Sequence, residues 1–347
     1  MIWEICSVII SLILCCSCNE KSKLDDIVEQ VQSELKGIKL KHDVDPTVFA
    51  CLYNQSMTGF DVVKSDNKAE MLLLSEKLNN GRNLSLFFLG TGNTICRDDH
   101  RFKDSKEWYI KSGTNICYIA YAFDKYHASI YNLYFYVKRI METNRVEYVA
   151  QEALELVMNV RKKCLETKIP GCVQHMSQVT VLGYSLGAHI GAYTCRYLID
   201  ATGEKVKKLI GLDAAAISHW VSTVNYIQSG DADYVQVVHT SYLGTQMAKG
   251  DSDIYIKTDN WNSHNNHRLA VDMNALISAK KLILIGSKNG KGRVINLQES
   301  LHVNPELLQI ADHECVVGVY NQDSHKNGNE PGQVYMLSLP NKSMKFY

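Results

Sequence analysis

The sequence has few prolines, no excess of charge of either sign and no repeated or compositionally biased segment. Only five prolines occur in 347 residues, and no proline-rich stretch divides the chain in the way that a linker between domains would. Basic and acidic side chains are equal in number, so the formal net charge is zero. Nucleic-acid binding depends on a positive field that neutralises phosphates. We therefore expect no nucleic-acid partner.

The amino-terminal segment is the one stretch apolar enough to concern a membrane. Residues 5–18 carry no charge and are mostly apolar, but the run is too short to span a bilayer comfortably. Its length, and the small residues Ser17 and Cys18, are typical of a signal peptide over residues 1–18, which predicts secretion. Signal peptides usually begin with a positively charged segment, but residues 1–4 contain Glu4 and neither Lys nor Arg. A retained membrane anchor is therefore the alternative interpretation.

Cysteines and glycosylation sequons fit an extracellular protein. Beyond residues 1–18 the cysteines are Cys51, Cys96, Cys117, Cys164, Cys172, Cys195 and Cys315. Their odd number leaves at least one thiol free or bonded to another chain. In an oxidising compartment we expect disulfides, with Cys164–Cys172 closing a short loop and Cys96–Cys117 as a second pair, although sequence alone does not fix pairing. Asn-x-Ser sequons occur at Asn54, Asn83 and Asn341.

The order of apolar patterns predicts the fold class. Residues 24–38 have helical periodicity, which predicts a helical extension over residues 19–47. From residue 48 onward, short apolar runs typical of buried strands alternate with helical patterns. The predicted strands are 48–53, 84–89, 116–123, 178–182, 208–212 and 234–239, and the predicted helices are 146–160, 188–198 and 270–279. This alternation predicts one α/β domain over residues 48–347, with a mostly parallel sheet and helices on both faces.

The segment Gly183-Tyr184-Ser185-Leu186-Gly187 directly follows one predicted strand and opens the next predicted helix. Glycines on both sides of the serine permit a sharp turn that exposes the hydroxyl. A strand, this turn and a helix are the context that a nucleophile elbow requires, although a plain strand–turn–helix junction is the alternative. Reactive groups of such sheets gather at the carboxyl ends of the strands. Ser185 is therefore the candidate nucleophile.

A serine nucleophile requires a base within hydrogen-bonding reach and a carboxylate that orients the base. Asp213 ends the strand over 208–212 and is the candidate carboxylate, with a helix N-cap as its alternative role. The histidines that we consider as bases are His219, His239, His264, His267 and His302. His239 ends a strand and is interpreted as structural. His264 and His267 lie in a polar segment predicted as a loop before the helix 270–279, and the residues alone do not separate them.

Several segments together resemble the animal lipase family that includes pancreatic lipase and phospholipase A1. VTVLGYSLGAHIGAYTCRYL resembles the family's strand, elbow and helix. LIGLDAAA resembles the segment with the triad aspartate, and NNHRLAVDMNALIS the segment with the triad histidine. DADYVQVVHT and GDSDIYI resemble further shared segments, and residues 316–347 resemble the family's closing hairpin. The likeness runs from about Val48 to the carboxyl terminus.

The resemblance implies an α/β-hydrolase fold and a secreted serine esterase that acts on lipid esters, with transient contact to a lipid surface. In that family pattern Ser185 is the nucleophile, Asp213 the orienting carboxylate and His267 the general acid and base. The backbone N–H groups of Leu186 and Thr91 would form the oxyanion hole. Two such preorganised donors stabilise the transition state, at roughly 3 to 4 kcal/mol for one donor. No cofactor is implied.

The sequence departs from the family pattern at several positions near these residues. Leu89 replaces a His, Tyr184 replaces a His, Ala214 replaces a Pro and Leu269 replaces an Arg. Of the family's structural calcium ligands only Asp231 is matched, so we expect no metal site. The altered loop at Leu89 leaves a second hypothesis open, in which the chain is a catalytically weak lipid-binding or storage protein on the same scaffold.

The expectation about the substrate depends on a deletion relative to the family pattern. Only residues 257–266 separate the GDSDIYI segment from His267, and they contain no cysteine. This span is too short for the cysteine-closed lid of pancreatic-type lipases. The resemblance therefore implies an open site and a phospholipase A1-like enzyme, with a triacylglycerol lipase as the alternative, and no carboxyl-terminal β-sandwich domain.

Overall fold

The computed structural model describes residues 46–121, 140, 143–217, 226–258, 263–297, 308–320 and 332–339. The strands are β1 (Val48–Leu52), β2 (Asp61–Lys64), β3 (Asn83–Phe88), β4 (Thr114–Ala120), β5 (Val179–Tyr184), β6 (Lys208–Leu212), β7 (Val235–His239), β8 (Ser252–Lys257), β9 (Leu282–Ser287), β10 (Arg293–Asn296), β11 (Glu314–Val316) and β12 (Gln333–Ser338). The α-helices are α1 (Lys68–Leu78), α2 (Phe102–Ser112), α3 (Arg145–Thr167), α4 (Leu186–Thr202) and α5 (Ser263–Ser278). The predicted signal peptide and the predicted helix over 24–38 lie outside the described residues.

A single sheet organises the described residues, with the strand order β10-β9-β12-β8-β7-β6-β5-β3-β4-β1-β2 and with β11 paired to β9. The strands from β4 across to β12 are parallel to their neighbours. Antiparallel pairs occur toward the two edges, where β1 and β2 lie on one side and β9, β10 and β11 on the other. The prediction of a mostly parallel sheet is confirmed, and the fold is that of an α/β-hydrolase.

Side chains of the central strands alternate between two apolar layers. Leu86 and Phe88 of β3 pack in one layer with α1, α3 and α4. Phe87, from the same strand, packs in the other layer with α2 and α5. Helices therefore cover both faces, as predicted, and the strands read as continuous apolar runs because both of their faces are buried. Within the described ranges, no helix is long and apolar enough to cross a membrane.

Most of the expected closing hairpin over residues 316–347 lies outside the described residues, and β11 and β12, the two strands described at its start and middle, do not pair with each other. β12 runs parallel to β8 along its whole length and touches β9 at the pair Met336–Ser287. β11 pairs antiparallel with β9. β12 therefore inserts between β8 and β9, whereas β11 pairs with β9 alone.

One of the two expected disulfides is confirmed and the other is wrong. Cys164 and Cys172 are bonded, across a sequence separation of 8 residues. Cys117 is bonded to Cys51 and not to Cys96, which is an exposed thiol. Cys51 and Cys117 lie directly opposite each other in the antiparallel pair of β1 and β4, where side chains on one face come closest.

Candidate active site

Ser185 occupies the sharp turn between β5 and α4. Its backbone has φ 56° and ψ −124°, a conformation that costs a non-glycine residue about 1 to 3 kcal/mol. A Cβ at Gly183 would lie 2.3 Å from the carbonyl oxygen of Gly187, and one at Gly187 would lie 2.5 Å from that of Leu89. The Ser185 N–H also donates to the Leu212 carbonyl at 3.1 Å. Both glycines are therefore required for the turn, which has the form predicted for a nucleophile elbow.

The carboxylate of Asp213 is fully buried at the carboxyl end of β6, with a backbone φ of 45°. Its Oδ1 accepts the Thr240 N–H at 2.7 Å and the Ser241 N–H at 3.1 Å. Its Oδ2 accepts a short hydrogen bond from the Ser241 hydroxyl and a bond at 2.6 Å from Nδ1 of His267. Four donors thus fix the position of a buried acceptor, which suits it to orient an imidazole.

His267 is buried and lies one turn inside α5. Its Nδ1 donates to Asp213, so the neutral ring presents Nε2 as an acceptor on its other side. The prediction that His264 and His267 precede the helix is wrong, since α5 begins at Ser263 and not at Ala270. The polar residues that open α5 lack apolar periodicity, but this helical turn is held by the contact of His267 with Asp213.

The elbow and the histidine–aspartate pair meet at the same edge of the sheet. The ring of Tyr184, the residue before Ser185, lies 4.7 Å from the imidazole of His267 between centroids. Ala215, two residues after Asp213, donates its N–H to the Ser185 carbonyl at 3.1 Å. Within the described residues, no hydrogen bond joins the Ser185 hydroxyl to His267. Such catalytic contacts are often longer before substrate binds.

The loop after β3 lies against the start of α4. Leu186 is the first residue of that helix, so its N–H has no acceptor within the helix. Gly90 accepts two hydrogen bonds from Asn93, at 3.1 Å from the backbone and 3.2 Å from the side chain. Thr91, inside this turn, has a buried hydroxyl with no hydrogen-bond partner among the described residues. Because a Cβ at Gly187 would lie 2.5 Å from the carbonyl oxygen of Leu89, the two segments that carry the predicted oxyanion donors, Leu186 and Thr91, are neighbours.

Tyr184 contacts more of the site than its position in the sequence indicates. A Cβ at Gly90 would lie 2.6 Å from Cδ1 of Tyr184, so the tyrosine ring contacts the loop after β3 as well as His267. Burial, and then the negative charge of Asp213, raises the pKa of the Tyr184 phenol. This side chain therefore stays neutral and contributes packing on both sides. The sequence marks it only as a substitution within the elbow motif.

Ser241 is a further site residue that the sequence analysis missed. Its backbone N–H and hydroxyl both donate to Asp213. It belongs to a loop after β7 that has no periodic pattern, so no signal in the sequence connects it with Asp213. Its place two residues after the end of a central parallel strand is the one available hint.

The remaining histidine candidates are not at this site or are not described. His219 and His302 lie outside the described residues, and so does the side chain of His264. His239 is buried and pairs with Asp253, with Nε2 2.8 Å from Oδ1. It therefore does not compete with His267 for Asp213.

The one residue that matches a calcium ligand of the family is engaged in an ion pair. Asp231 is buried and accepts two hydrogen bonds from Arg196, at 2.8 and 2.9 Å. Gln228 adds a backbone N–H at 2.9 Å. Across the part of the chain that the structure describes, no group of three or more metal-ligating side chains is placed to hold an ion.

Comparison with known proteins connects this site to lipases. The model of the family described as Lipase matches residues 140–261, a range that includes Ser185 and Asp213 and ends before His267. A phospholipase A1 of Vespula maculifrons is 35% identical over 83 residues, which are 23% of this chain and 28% of that protein. Phospholipase A1 1 of Dolichovespula maculata is 34% identical over 103 residues, 29% of this chain and 31% of that protein. The chain thus matches under a third of the length of these relatives.

Solved structures give a weaker likeness. A dienelactone hydrolase-like promiscuous phosphotriesterase from metagenomic libraries superposes with a TM-score of 0.32 and 13% identity, covering 68% of this chain and 78% of that one. A hormone-sensitive lipase from a metagenome library gives a TM-score of 0.29 and 8% identity, covering 73% and 84%. These superpositions are weak, and the α/β-hydrolase fold is instead evident in the strand order and in the turn at Ser185.

Proposed function

We propose that this lipase-like chain, similar to phospholipases A1, is a serine esterase that hydrolyses acyl esters of phospholipids. The observation that supports the proposal most strongly is the strained serine at the end of β5, with a buried histidine–aspartate pair at the same edge of the sheet. Strained backbone at a serine in such a turn is characteristic of functional sites. Ser185, Asp213 and His267 are the proposed triad.

In the proposed first half-reaction, Ser185 Oγ attacks the acyl carbon and forms a new C–O bond. The hydroxyl proton passes to Nε2 of His267 as this bond forms. Asp213 holds the imidazole in the tautomer that has Nδ1 protonated and stabilises the imidazolium. The carbonyl oxygen, now negative, is held by the N–H groups of Leu186 and Thr91. The original ester C–O bond then breaks, and His267 returns the proton to the leaving alcohol.

The second half-reaction repeats these steps with water. A water oxygen attacks the acyl-enzyme carbon while one water proton moves to His267. The bond between the acyl carbon and Ser185 Oγ breaks, and the proton returns from His267 to the serine. A free fatty acid leaves, and the enzyme regains its starting form. The cycle needs no redox partner and no cofactor.

A lipid surface as the site of action is supported by exposed apolar side chains next to the proposed triad. Tyr242 is 79% exposed and Met247 is 43% exposed. Both belong to the segment 240–247 that contacts Asp213 through Thr240 and Ser241. Tyrosine is favoured at membrane interfaces because it has an apolar body and a polar end. We infer that this segment touches the lipid surface that supplies the substrate.

A phospholipid substrate is favoured over a triacylglycerol by the short connection between β8 and α5. β8 ends at Lys257 and α5 begins at Ser263, which leaves too few residues for a helical lid. The similarity to two phospholipases A1 points the same way. An open site of this kind accepts lipid without interfacial activation.

Secretion is also part of the proposal. The apolar segment over residues 5–18 reads as a signal peptide. Two disulfides are present among the described residues, and disulfides persist mainly in oxidising compartments.

The test is a comparison of fatty-acid release from dioleoyl phosphatidylcholine vesicles and from emulsified triolein. We expect faster release from phosphatidylcholine by the native protein and no release by Ser185→Ala. Dominant turnover of triolein would assign the chain to triacylglycerol lipases. Binding of the vesicles without release of fatty acid from either lipid would instead support a lipid-binding or storage protein.

A further inference from the structure

We propose that the buried pair His239–Asp253 positions the triad carboxylate by holding the loop over residues 240–247, here called the grip loop. The role rests on the proposed function, because it concerns the orientation of Asp213 toward His267. Neither His239 nor Asp253 touches the reacting atoms, so both are positioning residues.

The pair is enclosed on all sides. The side chain of His239 is 2% exposed and that of Asp253 is 0% exposed. Nε2 of His239 lies 2.8 Å from Oδ1 of Asp253, and Nδ1 donates to the carbonyl of Thr245 at 2.7 Å. The ring of Tyr255 stacks on the imidazole with centroids 4.3 Å apart and planes 11° apart. Every polar atom of the imidazole therefore has a partner.

These contacts hold the carboxyl-terminal end of the grip loop. His239 ends β7 and immediately precedes the loop, while its Nδ1 bonds to Thr245 near the other end. Asp253 accepts the backbone N–H groups of Lys249 at 3.2 Å and Gly250 at 3.0 Å, just after the loop. The pair thus bonds to the chain before the loop, near the loop's end and just after it.

The near part of the same loop supplies three of the four hydrogen bonds to Asp213. They come from the backbone of Thr240 and from the backbone and hydroxyl of Ser241. A Cβ at Gly244 would lie 2.5 Å from Oδ1 of Asp213, so the loop fits closely around the carboxylate. Any displacement of the loop therefore moves or unbinds the group that orients His267.

The loop is also joined to the backbone that follows Asp213. The Thr245 N–H donates to the carbonyl of Ala214 at 2.7 Å, and the Ala216 N–H donates to that of Leu243 at 3.0 Å. Thr245 therefore bonds to His239 through its carbonyl and to the aspartate segment through its N–H. This residue therefore links the buried pair by hydrogen bonds to Ala214, the residue that follows Asp213 in the chain.

Stability alone does not account for a buried histidine–aspartate pair here. Replacing such a pair by apolar side chains of similar volume is often neutral or stabilising. The pair instead orients the loop. Both ring nitrogens of His239 take part in hydrogen bonds that fix the loop, and the loop's own bonds converge on Asp213. A shift of about 1 Å in catalytic geometry can lower a rate on the order of 100-fold.

The main test uses His239→Phe, which keeps the ring against Tyr255 and removes both hydrogen bonds. The readout is the rate of covalent labelling of Ser185 by a fluorophosphonate, a probe that does not depend on the lipid. We expect a loss on the order of 10- to 100-fold in labelling rate with little change in probe affinity. Asp231→Asn is the matched control, because it weakens the ion pair of the buried Asp231 with the partly exposed Arg196, and the described side-chain partners of Asp231 lie outside the grip loop. It should lower thermal stability without lowering the labelling rate.

A double-mutant cycle with Ser241→Ala separates positioning from general destabilisation. If His239 acts through the loop, its loss already weakens the bond from Ser241 to Asp213. Ser241→Ala should then lower the labelling rate little further in the His239→Phe protein. If the two substitutions act independently, their fold-losses in labelling rate multiply instead. Multiplying effects, or unchanged labelling by a folded His239→Phe protein, would overturn the inference.

A second variant covers the case in which His239→Phe does not fold. Asp253→Asn keeps the shape of the side chain and removes the charge, and we expect the same non-additivity with Ser241→Ala. A fully active, folded Asp253→Asn protein would also contradict the inference. Failure of the native protein to label at all would reject the proposed esterase function itself, which is a different result.

Discussion

The aromatic ring of Tyr184 packs against the imidazole of His267, with centroids 4.7 Å apart and planes inclined by 38°. The same tyrosine contacts Gly90, whose missing side chain leaves room for the ring. One residue of the elbow thus touches both the proposed general base and the loop that carries a proposed oxyanion donor. The hydroxyl takes no part in either contact, because both use the face or edge of the ring.

Removal of this ring should impair the site without removing any reacting group. We predict that Tyr184→Ala lowers kcat on phosphatidylcholine by about 10- to 100-fold, since His267 and Gly90 lose a common support. Tyr184→Phe should remain within a few-fold of the native rate because it preserves the ring. Steady-state kinetics of the two variants checks this. Equal losses in both would show that the hydroxyl, and not the ring, is what the site needs.

A buried histidine next to the triad predicts how stability changes with pH. Burial lowers the pKa of His189 to about 4, although its Nε2 bonds to the Ala215 carbonyl at 2.9 Å. The unfolded chain binds a proton near pH 6.5, whereas the folded chain resists it until pH 4. The free energy of unfolding should therefore fall as pH drops from 6.5 to 4, by about 3 kcal/mol from this residue.

Urea unfolding at several pH values within that range measures the effect. His189→Gln is the matched variant, because an amide offers similar hydrogen bonds and does not titrate. Its stability should depend less on pH than that of the native protein between pH 6.5 and 4. Parallel curves for the two proteins would show that His189 does not contribute.

The two disulfides should differ in their contribution to stability. All four cysteines are almost fully buried, so replacing either pair by alanines leaves comparable cavities. Cys51–Cys117 joins residues 66 positions apart, and Cys164–Cys172 joins residues 8 apart. In the chain-entropy account these loops correspond to roughly 4 and roughly 2.5 kcal/mol. We predict that the Cys51/Cys117 double alanine variant has the lower unfolding midpoint in guanidinium, and the reverse order would contradict that account.

The centre of the fold could be predicted from sequence because its signals are local. The strand before Ser185 and the helix after it have different apolar periods, and the glycines between them mark the turn. Asp213 was placed correctly at a strand end because the run over 208–212 matches β6. Buried parallel strands read as unbroken apolar runs, so β3, β4 and β7 were also found within a few residues.

The parts that were mispredicted depend on contacts between distant segments. The start of α5 is rich in Ser, Asn and His, which are weak helix formers, and its helical form is supported by the bond of His267 to Asp213. Cys51 and Cys117 become partners only because β1 pairs with β4. Strand pairing of this kind leaves no mark in either segment alone.

The contacts around Asp213 could not be predicted from the sequence, for a related reason. Thr240 and Ser241 donate to it from a loop 27 and 28 residues away, and that loop has no periodicity. His239 was interpreted as structural from its position at a strand end, and its bond to Thr245 gives that structural position a direct connection to the site. Only the three-dimensional arrangement brings these groups together.

The most direct test of the whole account is covalent labelling by a fluorophosphonate, followed by mass spectrometry of the modified peptide. The account predicts stoichiometric modification at Ser185 in the native protein, strongly slowed labelling in His267→Gln, and none in Ser185→Ala. Absence of labelling in the folded native protein, or modification at another residue, would contradict it.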